Sequence, residues 1–168
     1  MSDLIIFQRL TDVLTEMGEA IGEQYKQNLL DSGRNASGKL YNSIKSQVSV
    51  NGMTYDVELN MENYWYWIEN GRNPTTATTA SNPPLRERIL EWIRVKPVLP
   101  TPIDGKLPTE EQLAYLITRK IHREGFEGKP DLSDALDDVT VTWEQKIEDA
   151  MDADVLDCFD RIFALLEN

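Results

Sequence analysis

From Met53 to Asn60 the chain alternates apolar and polar side chains without a break, as Met53, Tyr55, Val57 and Leu59 interleave with Thr54, Asp56, Glu58 and Asn60. Ile44, Val48 and Val50 occupy alternate positions just before, and Asn51-Gly52 stands between the two runs. A period of two belongs to a strand with one covered face, and Asn-Gly is the favoured pair for a two-residue hairpin turn. The pattern predicts strands over about 43–50 and 53–60. In the register that a turn at 51–52 imposes, Val50 faces Met53, Val48 faces Tyr55 and Ile44 faces Leu59. One face is then apolar except for Ser46, and Lys45 meets Glu58 across the other. A slip of one residue would lose both features.

The flanking sequence is helical. Ile6, Leu10, Val13, Met17, Ala20 and Gln24 advance in steps of three and four, with Leu14, Ile21 and Tyr25 widening the stripe. This predicts a long helix over 3–30, capped by Ser2 or Asp3 and ended by Asp31-Ser32-Gly33. Gly18 and Gly22 weaken it by about 1 kcal/mol each relative to Ala, and allow another element to approach closely. Residues 64–72 are densely aromatic, and residues 73–84 form a Thr-rich, Pro-bounded loop that reads as exposed. Helices are predicted over about 84–95, where Leu85, Ile89, Trp92 and Ile93 make a face, and over about 109–124, where Thr109-x-x-Gln112 is a capping pattern. After the turn-rich segment 125–132, Trp143, Ile147, Met151, Val155, Cys158, Ile162 and Leu166 predict a last helix over about 142–167, with a break near Asp152 or Asp154. The fold class is therefore α+β: a long N-terminal helix packed on an antiparallel sheet built around the hairpin, followed by helices.

The 168 residues suit one domain. The net charge of −12 is uneven: residues 1–130 hold 17 acidic and 15 basic side chains, whereas 131–168 hold 12 and 2. Phosphate backbones attract clustered Lys and Arg, so this balance points away from nucleic-acid recognition. The acidic end is either a solvated helix face or a surface for a basic partner. No run of about 18 apolar residues predicts a membrane span, and the N-terminus does not read as a signal peptide. Cys158, the one cysteine, sits among apolar residues, which fits a reducing compartment. His122, the one histidine, lies between basic neighbours and reads as a surface or packing residue. Phosphate-binding loops and nucleophile–base patterns are absent. Glu69 is the best candidate for carboxylate catalysis, because the aromatic cluster before it could raise its pKa. A structural carboxylate accepting backbone hydrogen bonds is the favoured reading, and no enzyme activity is expected. The suspected interaction residues are Tyr64, Trp65, Tyr66, Trp67, Arg72, Thr75, Thr76, Thr78 and Thr79.

Three segments together resemble the head–tail joining, or tail-completion, proteins of tailed bacteriophages. Ala36 to Ile44 is similar to that family's Thr-Gly-x-Leu-x-x-Ser-Ile signature, with Ser37 in place of Thr. Tyr64 to Gly71 is similar to its Tyr-Ala-x-Tyr-Val-Glu-x-Gly pattern, with Trp65 in place of the small residue. Ile121 to Leu132 resembles its closing Gly-x-x-x-Lys-Pro-x-Leu stretch. The resemblance covers residues 1–136 as a tail-completion-like domain and leaves 137–168 as an acidic C-terminal helical extension. It implies a structural virion protein that forms a ring in the neck between the portal or adaptor complex and the tail. The implied partners are further copies of the chain, those neighbouring virion proteins, and DNA passing without sequence recognition. It implies no catalysis and no cofactor; from the residues themselves, neither a metal site nor a membrane partner is expected. The competing reading is a cytoplasmic protein-binding adaptor with no virion role.

Overall fold

The computed structural model describes residues 7–75, 84–96, 98, 100–102 and 105–166. The chain is α+β, and its longest helices lie side by side. Helix α1 (Gln8–Asp31) buries Leu10, Leu14, Met17, Ile21 and Tyr25 of the expected stripe and Leu29 one turn beyond, while Val13, Ala20 and Gln24 are half-buried. It starts at Gln8 and not at residue 3; the expected caps Ser2 and Asp3 lie outside the described residues. The cap comes from far along the chain. Asp154 accepts the Leu10 N–H at 2.9 Å, and the Tyr55 hydroxyl accepts the Phe7 N–H at 2.9 Å. These bonds satisfy donors that the first helical turn leaves without partners.

A short helix α2 (Lys39–Ser43) leads into strands β1 (Lys45–Asn51) and β2 (Thr54–Asn60), which pair antiparallel. The register differs from the expected one by two residues. Val50 faces Tyr55, Val48 faces Val57 and Ser46 faces Leu59. Asn51 pairs with Thr54, so the turn is Gly52-Met53. Gly52 takes φ +65° at the first central position, and Met53 stands 92% exposed at the tip. A two-residue shift keeps every side chain on its face, so alternation alone could not detect it. It does dissolve the expected Lys45–Glu58 pair: Lys45 faces Asn60, and Glu58 faces Gln47. Ile44, expected in the strand, caps α2 and is buried.

The hairpin lies on α1 at the two glycines. A Cβ on Gly18 would stand 3.0 Å from both the Ser46 Cβ and a Val57 methyl, and one on Gly22 would stand 3.4 Å from an Ile44 methyl. Ser46 interrupts the apolar face because it is the residue that meets Gly18, where the two backbones come closest.

Beyond the hairpin come α3 (Trp65–Asn70), β3 (Gly71–Arg72), α4 (Leu85–Val95), α5 (Glu110–Glu124), β4 (Phe126–Glu127) and α6 (Asp131–Leu166). The expected capping box is present: the Thr109 hydroxyl accepts the Gln112 N–H, and the Gln112 side chain accepts the Thr109 N–H at 3.0 Å. Strands β3 and β4 form a two-residue antiparallel ladder. Helices α4 and α5 pack on each other and form an arm tied to the body by this ladder and by Lys96, which donates to the Gly33 carbonyl at 2.9 Å.

Helix α6 is unbroken from Asp131 to Leu166. It begins well before the expected residue 142, and the expected break near Asp152 or Asp154 does not occur. Asp154 faces inward, where its carboxylate caps α1. The boundary drawn at 136/137 lies inside this helix. Helix α6 runs antiparallel to α1. Asp154 meets the start of α1, while at its end Asn28 donates to the Asp131 carbonyl at 2.8 Å and Ser32 donates to the Asp131 carboxylate at 2.9 Å. Two apolar clusters follow. One joins Leu10, Leu14, Met17, Ile21 and Val139 to the hairpin face, and the other joins Tyr25, Leu29, Leu40, Ile44, Leu132 and Ala135. Among the described residues no helix is long and apolar enough to cross a membrane.

Candidate interaction surface

The aromatic segment divides between inside and outside, because one helical turn separates its side chains by about 100° per residue. Tyr64 and Trp65 turn inward with Ile68 and pack on the cluster of Tyr25, Leu40, Ile44 and Leu132. Burial pushes the Tyr64 phenol up, and a hydrogen bond with the Leu40 backbone pulls it partly back. Tyr66 and Trp67 turn outward and are 51% and 47% exposed. Their rings meet edge to face at 5.4 Å. The Arg72 guanidinium stands 5.9 Å from the Trp67 ring centroid, within cation–π range. Directly across the β3–β4 ladder from Arg72 is Phe126, 41% exposed. Residues opposite one another in an antiparallel pair project to the same side, so Phe126 extends the patch.

Tyr66, Trp67, Arg72 and Phe126 thus form one exposed surface of three aromatic rings and a cation. Phe126 was not among the expected residues. Its signal was an aromatic placed between Gly125 and Gly128, in a segment that composition marks only as a connection.

Thr75 lies at the edge of this patch and is tied to the arm. Its N–H donates to the His122 carbonyl at 2.9 Å, and its hydroxyl pairs with His122 Nδ1 at 3.0 Å. Arg72 donates to the same hydroxyl at 3.4 Å. His122 is therefore a packing residue that pins the start of the loop, at Thr75, to α5. Thr76, Thr78 and Thr79 lie outside the described residues.

The platform under the patch is held by backbone contacts that only glycine permits. A Cβ on Gly71 would fall 2.4 Å from the Gly128 nitrogen and the Phe126 carbonyl. One on Gly125 would fall 2.1 Å from the Arg72 carbonyl, and one on Gly128 would fall 2.1 Å from the Glu69 carbonyl. Gly71 and Gly125 also take φ +71°, a region that side chains disfavour. Glu69 completes the junction. Its carboxylate accepts the backbone N–H of Leu132 at 2.9 Å and of Ser133 at 3.0 Å, and also the Ser133 hydroxyl. A carboxylate at this place satisfies the first turn of α6 and opposes the positive end of its dipole. The donors that Glu69 meets come from α6, 63 positions away for Leu132.

Two further features belong to the chemistry of the body. Asn28, Asp31, Lys129, Asp131, Asp134 and Asp137 line a shallow acidic groove beside the start of α6. Among the described residues no group of three His, Cys, Asp or Glu side chains is placed to hold a metal ion. Tyr25 is fully buried, and its hydroxyl has no hydrogen-bond partner among the described residues. Burial raises its phenol strongly, and the charges of Glu69 and Asp131 raise it further.

The arrangement presents an exposed Trp–Tyr–Arg–Phe surface on a rigid backbone junction, and these are the side chains that dominate protein contacts. Compared with known proteins, the chain matches no family model, and neither a curated protein nor a solved structure matches it significantly.

Proposed function

We propose that this chain is a structural subunit of the neck of a tailed bacteriophage, forming a ring that joins the portal or adaptor complex to the tail around the DNA channel. The observation that carries this reading is the meeting of the three family-like segments. Leu40 and Ile44 from the first, Tyr64 and Ile68 from the second, and Leu132 from the third pack in or against one cluster. Glu69 and Gly71 of the second engage Gly128, Leu132 and Ser133, in or beside the third. Short strings that resembled the family by chance would have no reason to converge on the same few contacts.

The exposed patch of Tyr66, Trp67, Arg72 and Phe126 is the proposed docking surface for a neighbouring virion protein. Asp134, Asp137 and Asp138 give α6 an exposed acidic flank, which would repel DNA in transit if it faces the channel. The protein acts by assembly and not by catalysis in this reading. Imaging the protein within an intact particle tests it directly: density at the neck is expected. Failure to associate with purified portal, adaptor and tail components, with no density at the neck, would overturn the reading in favour of a cytoplasmic adaptor.

A further inference from the structure

The last three turns of α6 carry an apolar stripe that nothing in the chain's described residues covers. Leu156, Phe159, Phe163 and Leu166 recur in steps of three and four, and all four are exposed. Ile162 lies beside them and is exposed too. Asp152 continues the stripe one turn earlier, and Asp160 borders it. An isolated helix end of this kind is a docking surface or an aggregation hazard.

A second helix in the same chain has the complementary character. On α5, Tyr115, Leu116 and Arg119 make an exposed stripe of the same spacing, flanked by Lys120 and Arg123. The apolar part matches Leu156, Phe159 and Phe163 in kind, and Arg119 matches Asp152 and Asp160 in charge, while Lys120 and Arg123 pair with Glu124 of their own helix. Two stripes with three–four spacing can pack helix against helix at a shallow angle.

The two surfaces cannot satisfy each other within one molecule. Helix α5 ends at the β3–β4 ladder, next to the start of α6, and Arg119 is only about 9 Å of helix from that end. Phe159 lies about 42 Å along α6 from Asp131. The stripes therefore sit toward opposite ends of the molecule. A contact joining opposite ends either closes reciprocally between two copies as a two-fold dimer or repeats head to tail into a ring or a filament.

We infer that the apolar end of α6 docks on the exposed α5 face of a second copy of this chain, and that this contact links neighbouring subunits. Closure of the chain of contacts into a ring rests on the neck reading; the contact itself does not.

Two variants test it, each altering only exposed side chains. Phe159→Asp with Phe163→Asp removes the tail surface, and Arg119→Glu with Lys120→Glu reverses the α5 surface. Circular dichroism and thermal melts check that both fold as the wild type does. By sedimentation and native mass spectrometry, the wild type is expected to self-associate and each variant to be monomeric. Mixing the two variants is expected to give a one-to-one heterodimer and nothing larger, because one intact surface of each kind remains. A tail variant that dissociates while the α5 variant still self-associates would overturn the inference, since the tail would then meet another surface. Wild-type rings that survive both variants would overturn it and leave the ring standing. Open-ended polymers that both variants break would uphold the contact and remove the closed ring. A wild type that is monomeric at all concentrations would overturn the contact, while the neck reading would still be decided by imaging the particle. If the tail variant also melted lower than that monomer, the stripe would have an intramolecular cover.

Discussion

Glu69 shows how one side chain can have two readings in sequence and a single role in three dimensions. Sequence places it beside a desolvating aromatic cluster, the setting of a catalytic carboxylate. Structure places both its oxygens on the first turn of α6. Removing a side-chain cap costs about 1–2 kcal/mol, and leaving buried donors unpaired costs more. Glu69→Ala is therefore expected to lower stability by about 2 kcal/mol in denaturant melts. Glu69→Gln, which keeps one acceptor oxygen, should lose less. A Glu69→Ala protein with unchanged stability would show that the cap contributes little. Tyr25 supports a second prediction. Its phenol is raised above the ordinary value of 10.0 by burial, so the folded state holds that proton more tightly than the unfolded chain. The resulting stability is present in full below about pH 10 and is lost as pH rises toward the folded value. Tyr25→Phe should leave neutral-pH stability within about 1 kcal/mol, since no protein hydrogen bond is lost. It should also flatten the alkaline fall in melting temperature. An unchanged alkaline limb would assign that fall to other groups. Sequence favoured a structural, hydrogen-bond-accepting Glu69 and put Tyr25 on the apolar stripe of α1. It did not name their surroundings, because Leu132 and Ser133 lie 63 and 64 positions from Glu69 and only packing brings them near.

The elements themselves were largely legible. The period of two gave the hairpin, the period of 3.6 gave α1, α4 and α5, and Thr109-x-x-Gln112 gave a capping box that the structure contains. What periodicity left open was phase and extent. The hairpin register moved by two residues, a shift that preserves both faces and so leaves no trace in the pattern. Helix α6 began early because its first turn is capped by Glu69, and it ran on through Asp154 because that residue caps α1. The glycines separate two kinds of element contact. Gly22 is helical and has one ordinary neighbour at 3.4 Å. Gly22→Ala is expected to raise stability by about 0.5–1 kcal/mol through helix propensity. Gly125 has positive φ and no room for a methyl group against the Arg72 carbonyl. Gly125→Ala is expected to cost more than about 2 kcal/mol and to loosen the β3–β4 ladder, read as faster amide exchange at Arg72 and Phe126. Equal melting temperatures for these two variants would contradict the division.

At the scale of the whole molecule, α1 carries the hairpin on one side and α6 along its length, while the α4–α5 arm joins this body through Lys96, which donates to the Gly33 carbonyl at 2.9 Å, and through the two-residue ladder. The exposed aromatic patch sits at that junction, so a partner bound there would touch both body and arm. Trp67→Ala removes an exposed side chain and should change stability by less than about 0.5 kcal/mol. Binding to the proposed neck partner should weaken by tenfold or more, as measured by titration calorimetry. Equal binding by wild type and variant would take the patch out of the interface.

Sequence alone determined the hairpin, the long helices and the covered sides of α1 and the hairpin, because those follow from local periodicity and turn chemistry. On α6 the expected stripe is only partly covered, with Met151, Ile162 and Leu166 exposed and Leu132, Ala135, Val139 and Ala150 buried instead. Sequence also marked Tyr66, Trp67 and Arg72, though not which aromatic neighbours turn inward. Only the tertiary structure decided the register, the start of α6, the remote caps and the addition of Phe126 to the patch. Each of those depends on which backbone meets which: Gly18 on Ser46, Gly71 on Gly128, Gly125 on Arg72. Close approach between distant segments is a property of packing, and a one-dimensional pattern carries no record of it.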